Sequence, residues 1–302
     1  MNNIFFALSS VIFGLSLLSV GGPILGEMIA TMAPIYTKKD SATLPNLGIP
    51  VEQVTFQSSD DLNLSGWFFP ADDPASPAIL YAPATARDQR SGLSLVVPFH
   101  QAGYHVLLFS YRGHGTSDGD RFGFTYGAAE SRDVDAAVQY LSEERGIKKI
   151  GAIGHSAGAV SIILSASRNS QISAIVAASP FNSVEEIWET NRPVLFPKPL
   201  YDLTMWFSEF RKGFSRHQVR AQDVIGKIAP RPLLLLHGSA DNRITQEQAL
   251  QLYSQAKEPK RLWIIEGATH DSVRHPGLDV LSGQILSFFD KALRSQANIY
   301  PD

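Results

Sequence analysis

Short apolar runs alternate with amphipathic helical patterns along most of this chain, and this alternation restricts its fold more than any other feature. Most of the runs are continuously apolar, as in "AILYA", "ISAIVAA" and "PLLLLHG", which is typical of strands covered on both faces. This rhythm predicts an α/β fold with a doubly wound, mostly parallel sheet of about eight strands. The predicted strands cover residues 51–56, 62–69, 78–82, 105–111, 148–154, 172–178, 232–238 and 261–267.

The segments between these strands carry helical periodicity. In the segment 129–144, the residues Val134, Ala137, Val138 and Leu141 fall on one face of a helix. Two further helices of the same kind are predicted over 245–256 and 277–293.

The segment 180–229 breaks the rhythm, because it holds no clear strand and three prolines interrupt it. An insertion of this length in a compact fold is typical of a cap over a site, although part of it is expected to be extra helical core. Aromatic side chains in such a cap predict a pocket for substrates with an apolar acyl or alcohol group. They are Phe181, Trp188, Phe196, Tyr201, Trp206, Phe207, Phe210 and Phe214.

The N-terminus differs from the rest of the chain, since no side chain is charged from Met1 to Gly26. As a helix, the stretch "IFFALSSVIFGLSLLSVGGPIL" would be about 33 Å long, which is close to the thickness of a bilayer. The sequence therefore predicts a transmembrane anchor over 1–26. A signal peptide is the alternative, but a basic first region is absent and "SVGG" is a poor cleavage site.

A linker rich in proline is predicted over 27–50, between the anchor and the first strand. Lys38 and Lys39 follow the apolar run, and no lysine or arginine precedes it. The positive-inside rule then places the folded domain on the cytoplasmic side of a membrane.

Charge and cysteine content exclude several classes of function. The net charge of −3 provides no basic field for nucleic acid. The chain has no cysteine, which excludes disulfides, cysteine-ligated zinc and a catalytic thiolate.

The stretch "GHSAG", residues 154–158, follows a predicted buried strand and opens the helical pattern "AGAVSIILSAS". A serine at a sharp turn from strand to helix takes a strained backbone conformation, which only small neighbours tolerate. The turn presents Ser156 at the carboxyl end of the sheet as a candidate nucleophile. The N–H of Ala157, at the start of the helix, would point toward an oxyanion. The alternative is a tight turn that happens to contain a serine.

A serine nucleophile needs a base, and four histidines follow Ser156 in the chain. His217 lies in the cap segment, and His237 ends a predicted strand next to a glycine. His270 lies in a loop between the last predicted strand and the last helix, which makes it the preferred base. His275, just before a proline, is the second choice.

The acid that orients the base is expected between the serine and the histidine in the chain. Asp241 lies in the loop "HGSADNRIT", directly after a predicted strand, at the carboxyl end of the sheet. Asp223 precedes that strand and would lie at the opposite end, and Asp271 adjoins His270 and would point elsewhere. Asp241 is therefore the predicted acid, with a solvated loop aspartate as the alternative interpretation.

Across residues 51–295 the chain resembles the α/β-hydrolase superfamily. It is most similar to bacterial membrane-anchored serine hydrolases related to the Bem46-like and serine-aminopeptidase-like groups. Four stretches carry the resemblance in order: "YRGHGTSDG" (111–119), "GHSAG" (154–158), "HGSADNRI" (237–244) and "GATH" (267–270). The first implies a turn beside the site in which Arg112 and His114 have structural or rim positions.

One stretch departs from the family pattern. Such enzymes usually have His-Gly directly after the third strand, whereas "YAPATARDQRS" places Pro83 and Ala84 there. By this alignment, the second donor of the oxyanion hole is the N–H of Thr85. A proline has no N–H, and alanine in place of glycine restricts the backbone.

The resemblance implies a domain over 51–297 with a cap at about 180–229, working as an esterase-like or lipase-like serine hydrolase. Ser156, Asp241 and His270 would form a triad that cleaves an ester or amide through an acyl-enzyme, with no cofactor or metal. The substrate would be a small-molecule, lipid or peptide acyl compound. Peptidase, thioesterase and lipid acyltransferase activities remain alternatives, as does a catalytically silent, membrane-tethered binding protein.

Overall fold

The computed structural model describes residues 21–22, 24–28, 31–33, 43–192, 194, 196–274 and 279–294. Eight strands form one sheet in the order β1-β2-β4-β3-β5-β6-β7-β8. The first strand pairs antiparallel with the second and the second with the fourth, and the remaining pairs are parallel. The predicted eight-stranded, mostly parallel sheet is thus confirmed. The strands are β1 (Glu52–Gln57), β2 (Asn63–Phe69), β3 (Ala78–Ala82), β4 (His105–Phe109), β5 (Ile150–His155), β6 (Ile172–Ala178), β7 (Leu233–Gly238) and β8 (Lys260–Ile265).

Helices connect the parallel strands and cover both faces of the sheet. A π-helical turn, Tyr140–Glu144, continues the helix Glu130–Gln139. The α-helices are α1 (Leu93–Gln101), α2 (Glu130–Gln139), α3 (Ala157–Ala166), α4 (Val184–Thr190), α5 (Lys198–Lys212), α6 (Ala221–Val224), α7 (Gln246–Gln255) and α8 (Asp279–Leu293).

The central strands are buried on both faces, so two apolar clusters form, one on each side of the sheet. Val134 of α2 and Val160 of α3 belong to one cluster, together with Leu252 of α7. Phe99 of α1 and Phe289 of α8 belong to the other. This arrangement explains why the strand sequences are continuously apolar rather than alternating.

The segment that the sequence predicts as a cap lies between β6 and β7. Pro197 precedes α5 and Pro199 lies in its first turn, where a missing N–H costs no helical hydrogen bond. Gly213 ends α5 with φ 66°, a left-handed conformation that glycine adopts without strain. Trp206 is exposed and its neighbour Phe207 is half-buried, in keeping with side chains that point about 100° apart on a helix.

The predicted anchor over 1–26 lies mostly outside the described residues. Among the residues that are described, no helix has both the length and the apolar character needed to cross a bilayer. Residues 24–28 are helical. At the start of the predicted linker, Glu27 and Ala33 pack onto the folded domain, and the Ala33 N–H donates to the Arg121 carbonyl at 2.8 Å. The sequence pattern by itself predicts only an unpacked connection here.

Candidate active site

Ser156 lies between β5 and α3, at the N-cap of the helix, with φ 55° and ψ −123°. This left-handed conformation is costly for a residue with a side chain. The turn is sharp enough that a Cβ on Gly154 would lie 2.6 Å from the carbonyl carbon of Gly158. The two glycines of the motif are therefore required by the close approach of the strand and the helix, as the sequence analysis predicts.

The elbow also packs against the loop that follows β3. A Cβ on Gly158 would lie 2.3 Å from the carbonyl oxygen of Ala82 and 2.4 Å from that of Pro83. The start of α3 and the first residues of this loop are thus in backbone contact. The position of Thr85, two residues further on, is consequently tied to the position of Ser156.

Asp241 and His270 lie side by side at the carboxyl ends of β7 and β8. The Nδ1 of His270 donates to the Oδ2 of Asp241 over 2.7 Å, and the other carboxylate oxygen accepts from the N–H groups of Arg243 and Ile244, each at 3.0 Å. Burial by itself would raise the pKa of the Asp241 carboxyl. The hydrogen bonds from His270, Ile244 and Arg243 outweigh burial and lower this pKa to about 2.

Ser156 and His270 line one cavity of about 590 Å³. Its volume is in the range of sites for small-molecule substrates. Trp188, Phe196 and Tyr201 of the cap supply aromatic rings to its wall. The remaining residues of the wall are Gly26, Glu27, Thr31, Thr85, Tyr126, Ile187, Asn191, Thr204 and Arg243.

Of the two predicted oxyanion donors, Thr85 lines this cavity and Ala157 begins the helix that follows Ser156. Ala157 is the first residue of α3, where N–H groups have no partner within the helix and the helix dipole is positive. Thr85 lines the cavity directly, and the next residue, Ala86, takes φ 54°. A left-handed alanine marks a tight turn, which brings the loop after β3 over the site without the usual glycine.

The comparisons with known proteins agree with this geometry. Residues 93–208 match the family described as "Serine aminopeptidase, S33". Rv2307c, an uncharacterized protein of Mycobacterium tuberculosis, is 30% identical over 237 residues, which are 77% of this chain and 75% of that protein. The chain belongs to the α/β-hydrolase superfamily. YfhR of Escherichia coli, also uncharacterized, is 29% identical to this hydrolase over 254 residues, which are 81% of this chain and 82% of that protein.

The resemblance to the Bem46 group is also confirmed. Protein bem46 of Schizosaccharomyces pombe is 26% identical over 234 residues, which cover 76% of this hydrolase and 73% of that protein. The Pyrococcus furiosus esterase Pf2001 has the same fold, with a TM-score of 0.65 and 23% identity over 86% of this chain and 98% of its own. Membership of the α/β-hydrolase superfamily and the serine-aminopeptidase match over residues 93–208 make the protein an enzyme of the serine hydrolase type.

Arg112 and His114 have structural positions in the hydrolase. The Arg112 guanidinium pairs with the buried Asp133 at 2.7 Å and with Asp60 at 2.6 Å, so it joins three segments. His114 is buried, its Nδ1 lies 3.0 Å from the Arg112 carbonyl, and burial lowers the pKa of its imidazole. Neither side chain lines the cavity that contains Ser156.

The residues set aside in the sequence analysis have other contacts. His217 is exposed, and Asp223 pairs with Arg220 at 2.6 Å on the protein surface. Asp271 pairs with Arg243 at 3.2 Å. His275, the second choice as base, lies outside the described residues.

His237 and His155 are two further histidines near the site. His237 is buried, its Nε2 lies 3.0 Å from the Ile244 carbonyl, and burial lowers the pKa of its imidazole. His155, the residue before the candidate nucleophile, places its Nε2 2.8 Å from the carbonyl oxygen of His270. Its ring lies 4.7 Å from that of His270. His155 thereby holds the loop that carries the candidate base, a role that sequence reasoning missed.

Among the residues the structure describes, no group of three or more histidine, aspartate or glutamate side chains is arranged to hold a metal ion. The polar groups at the cavity include the Ser156 hydroxyl and the His270 imidazole, which is hydrogen-bonded to Asp241. This set suits nucleophilic acyl transfer.

Proposed function

We propose that the protein hydrolyses carboxylic esters through an acyl-enzyme, with Ser156 as nucleophile, His270 as base and Asp241 as the acid that orients the base. One observation carries the proposal. His270, which is hydrogen-bonded to the buried Asp241 over 2.7 Å, lines the same cavity as a serine held in a strained turn at a helix N-terminus. Family membership in the α/β-hydrolases supports the same assignment.

In the first half of the reaction, the Oγ of Ser156 attacks the carbonyl carbon while the Nε2 of His270 takes the hydroxyl proton. The Nδ1–H of His270 donates to Asp241 throughout, which fixes the tautomer that leaves Nε2 free to accept. The low pKa of Asp241 keeps its carboxylate ionised, so the imidazolium that forms has an opposite charge beside it. His270 then gives its proton to the leaving alcohol, and water releases the acyl group by the same steps in reverse order.

The tetrahedral intermediate carries a negative charge on the former carbonyl oxygen. We propose that the N–H groups of Ala157 and Thr85 stabilise it. Ala157 contributes from the positive end of α3, and Thr85 contributes from the loop that contacts Gly158. A donor of this kind contributes on the order of a hundredfold or more in rate.

The character of the cavity wall favours esters over aminoacyl amides. An aminopeptidase needs an available carboxylate to bind the charged amino group of its substrate. The carboxylate in this wall, Glu27, already binds the Lys212 ammonium and accepts hydrogen bonds from Tyr126 at 3.0 Å and Ser208 at 2.9 Å. The aromatic rings of the cap suit an apolar acyl or alcohol group instead.

We further propose that the protein is held at a membrane by the uncharged residues 1–26, with its folded domain on the cytoplasmic side. The exposed face of α5 is compatible with a nearby lipid surface. Trp206 and Phe210 are 56% and 73% exposed, and their rings stack with centroids 5.7 Å apart. Leu25, the last residue of the apolar run, is helical and is also exposed.

Labelling with a fluorophosphonate probe tests the catalytic proposal. The wild-type protein is expected to be labelled and Ser156→Ala is expected not to be, with both proteins folded. A panel of p-nitrophenyl esters, thioesters and aminoacyl arylamides then separates the reaction classes, and we expect esters to give the highest kcat/KM. Labelling of Ser156→Ala at the wild-type level would contradict the assignment of the nucleophile.

A further inference from the structure

The wall of the candidate active site includes residues that precede the hydrolase fold in the chain. Gly26, Glu27 and Thr31 line the cavity that contains Ser156 and His270. Gly26 is the last residue of the uncharged N-terminal run, Glu27 and Thr31 follow it, and all three come long before the first strand of the sheet. Contacts with the folded domain hold these residues in the wall, where they can limit the substrate that the cavity accepts.

The first contact is a buried ion pair with the cap. The Glu27 carboxylate binds the ammonium of Lys212, whose side chain is fully buried. Burial lowers the pKa of Lys212, although Glu27 opposes this effect. Separating the pair would leave a charge buried without compensation, so the N-terminal residues are strongly tied to α5.

The second set of contacts holds the other end of the segment. The Thr31 hydroxyl donates to the Glu27 carbonyl at 2.9 Å and accepts from Lys212 at 3.0 Å. Two residues later, the Arg121 guanidinium donates to the Ala33 carbonyl at 3.1 Å, while the Ala33 N–H donates back to the Arg121 carbonyl. The segment is therefore attached at Glu27 and Thr31, which line the cavity, and again at Ala33.

One side of the cap helix α5 both lines the cavity and binds the N-terminal segment. Tyr201 and Thr204 line the cavity, while Ser208 and Lys212 hold Glu27. These positions are three or four residues apart and lie along one side of α5. The N-terminal segment and the cap helix thus form one continuous wall.

Gly26 leaves open space in that wall. It is helical, its φ is not left-handed, and a Cβ built on it would have no heavy atom within 4 Å. A glycine inside a helix weakens the helix relative to alanine. No close backbone approach requires a glycine here, in contrast to Gly158. Because Gly26 lines the cavity, we expect a larger side chain at this position to narrow it.

We propose that Gly26, Glu27 and Thr31 form a wall of the substrate pocket, and that Gly26 determines how long an apolar chain the pocket accepts. The inference rests on the proposed ester hydrolysis at Ser156. A buried methylene strengthens transition-state binding by about 0.8 kcal/mol, which is about fourfold in kcat/KM. The wild type is therefore expected to prefer longer chains until the chain reaches this wall.

The experiment compares full-length wild type, Gly26→Ala, Gly26→Leu and Gly22→Leu in one detergent. Gly22 is the matched control, because it is helical, a Cβ added to it would have no heavy atom within 4 Å, and it does not line the cavity. Substrates are p-nitrophenyl esters from acetate to decanoate, and acetate esters of butanol to decanol. The readout is the ratio of kcat/KM for the longest and the shortest substrate of each series.

We expect Gly26→Leu to lower this ratio at least about tenfold in one series, since its side chain displaces two or more methylenes. Gly26→Ala should give a smaller decrease, and Gly22→Leu should match the wild type within about twofold. The proposal is overturned if both ratios of Gly26→Leu equal those of Gly22→Leu. It is also overturned if acetate hydrolysis falls as much as decanoate hydrolysis, because a wall residue leaves the catalytic groups intact.

Ser156→Ala in the same assay tests the proposed function separately. Its expected loss of hydrolysis and of fluorophosphonate labelling does not depend on chain length. If Ser156→Ala keeps its activity while Gly26→Leu changes the length profile, the proposed nucleophile is wrong. If Ser156→Ala is inactive while Gly26→Leu leaves the profile unchanged, the proposed wall is wrong.

Discussion

At the scale of single residues, the candidate site depends on a few positions whose backbone conformation or contacts tolerate no other residue. Ser156 holds a left-handed conformation, and Gly154 and Gly158 leave no space for a Cβ. The Asp241 carboxylate is used on both oxygens, one by His270 and one by two backbone N–H groups. A substitution of Asp241 is therefore expected to affect the reaction, whereas a substitution of Gly154 or Gly158 is expected to affect folding.

The first prediction concerns the base and its acid. His270→Ala and Asp241→Asn are each expected to lower kcat by about a thousandfold or more, and the double variant should lose little beyond the worse single variant, because triad members act as a unit. Steady-state kinetics with a p-nitrophenyl ester measures this. His275→Ala is the control, and a larger loss there than in His270→Ala would mean that the base has been misassigned.

The second prediction compares the stability effect of a glycine-to-alanine substitution at a crowded position with that at an open position. Gly158→Ala places a methyl group against the carbonyl oxygens of Ala82 and Pro83 and is expected to cost about 1–3 kcal/mol of unfolding free energy, with loss of activity. Gly283→Ala, in α8 with open space around it, should add about 0.5–1 kcal/mol. Urea unfolding measures both. Equal effects of the two substitutions would rule out the close contact at the elbow.

The third prediction concerns pH and stability. The pKa of Asp241 is about 2 in the folded protein, against 3.8 for an unperturbed aspartate, so its carboxylate stabilises the fold above pH 3.8. This contribution, roughly 2 kcal/mol, is lost as the pH falls toward 2. The difference in unfolding free energy between wild type and Asp241→Asn should therefore shrink by about 1 kcal/mol between pH 5 and pH 3. A constant difference would contradict the lowered pKa.

At the scale of elements, the candidate site is formed by a strand-to-helix turn, two loops that follow strands, and the cap. The strand-to-helix turn supplies the serine, the loops after β7 and β8 supply Asp241 and His270, and the cap supplies the aromatic wall. The carboxyl ends of parallel strands lie at one edge of a sheet, so these loops come together although they are far apart in the chain. The N-terminal segment adds a fourth connection, through the ion pair between Glu27 and Lys212.

The fourth prediction tests that ion pair. Glu27→Ala leaves Lys212 buried without its counter-charge and is expected to cost about 3–5 kcal/mol, while the double variant with Lys212→Met should cost clearly less than the sum of the single changes. Urea unfolding of the detergent-solubilised full chain measures the cycle. Additive costs would mean that the two side chains do not interact in solution.

At the scale of the whole molecule, the hydrolase fold lies directly behind a long uncharged stretch, and the end of that stretch reaches the candidate active site. Gly26 and Glu27 line the cavity, and Leu25 is exposed beside them. An anchor and a substrate pocket would then share one short segment. Substrates that partition into lipid would have a short path from the membrane to Ser156.

The fifth prediction concerns location. The full-length protein is expected in the membrane fraction and to resist extraction by alkaline carbonate, because residues 1–26 carry no charge. Fractionation followed by N-terminal sequencing measures this. Recovery of the intact chain in the supernatant would contradict the anchor. A mature N-terminus between Gly21 and Ala33 would instead indicate a cleaved signal peptide.

Local patterns in the sequence were enough to predict the sheet and the order of the candidate groups. Two strands, Ala78–Ala82 and Ile172–Ala178, have their predicted bounds, and the other six differ by at most two residues at either end. Hydrophobic periodicity and turn chemistry act between neighbouring residues, so they can be read from the chain directly. The same holds for "GHSAG", where the small residues report a close approach of strand and helix.

Only the tertiary structure decided the contacts between distant residues. The sequence does not show that the His155 ring reaches the carbonyl of His270, or that Glu27 binds Lys212 across 185 positions. Such pairs form because the fold brings two elements together and buries their polar groups, which must then find partners. The sequence by itself determined the sheet and the candidate chemistry, and the fold decided which residues enclose it, since a cavity wall depends on packing rather than on order along the chain.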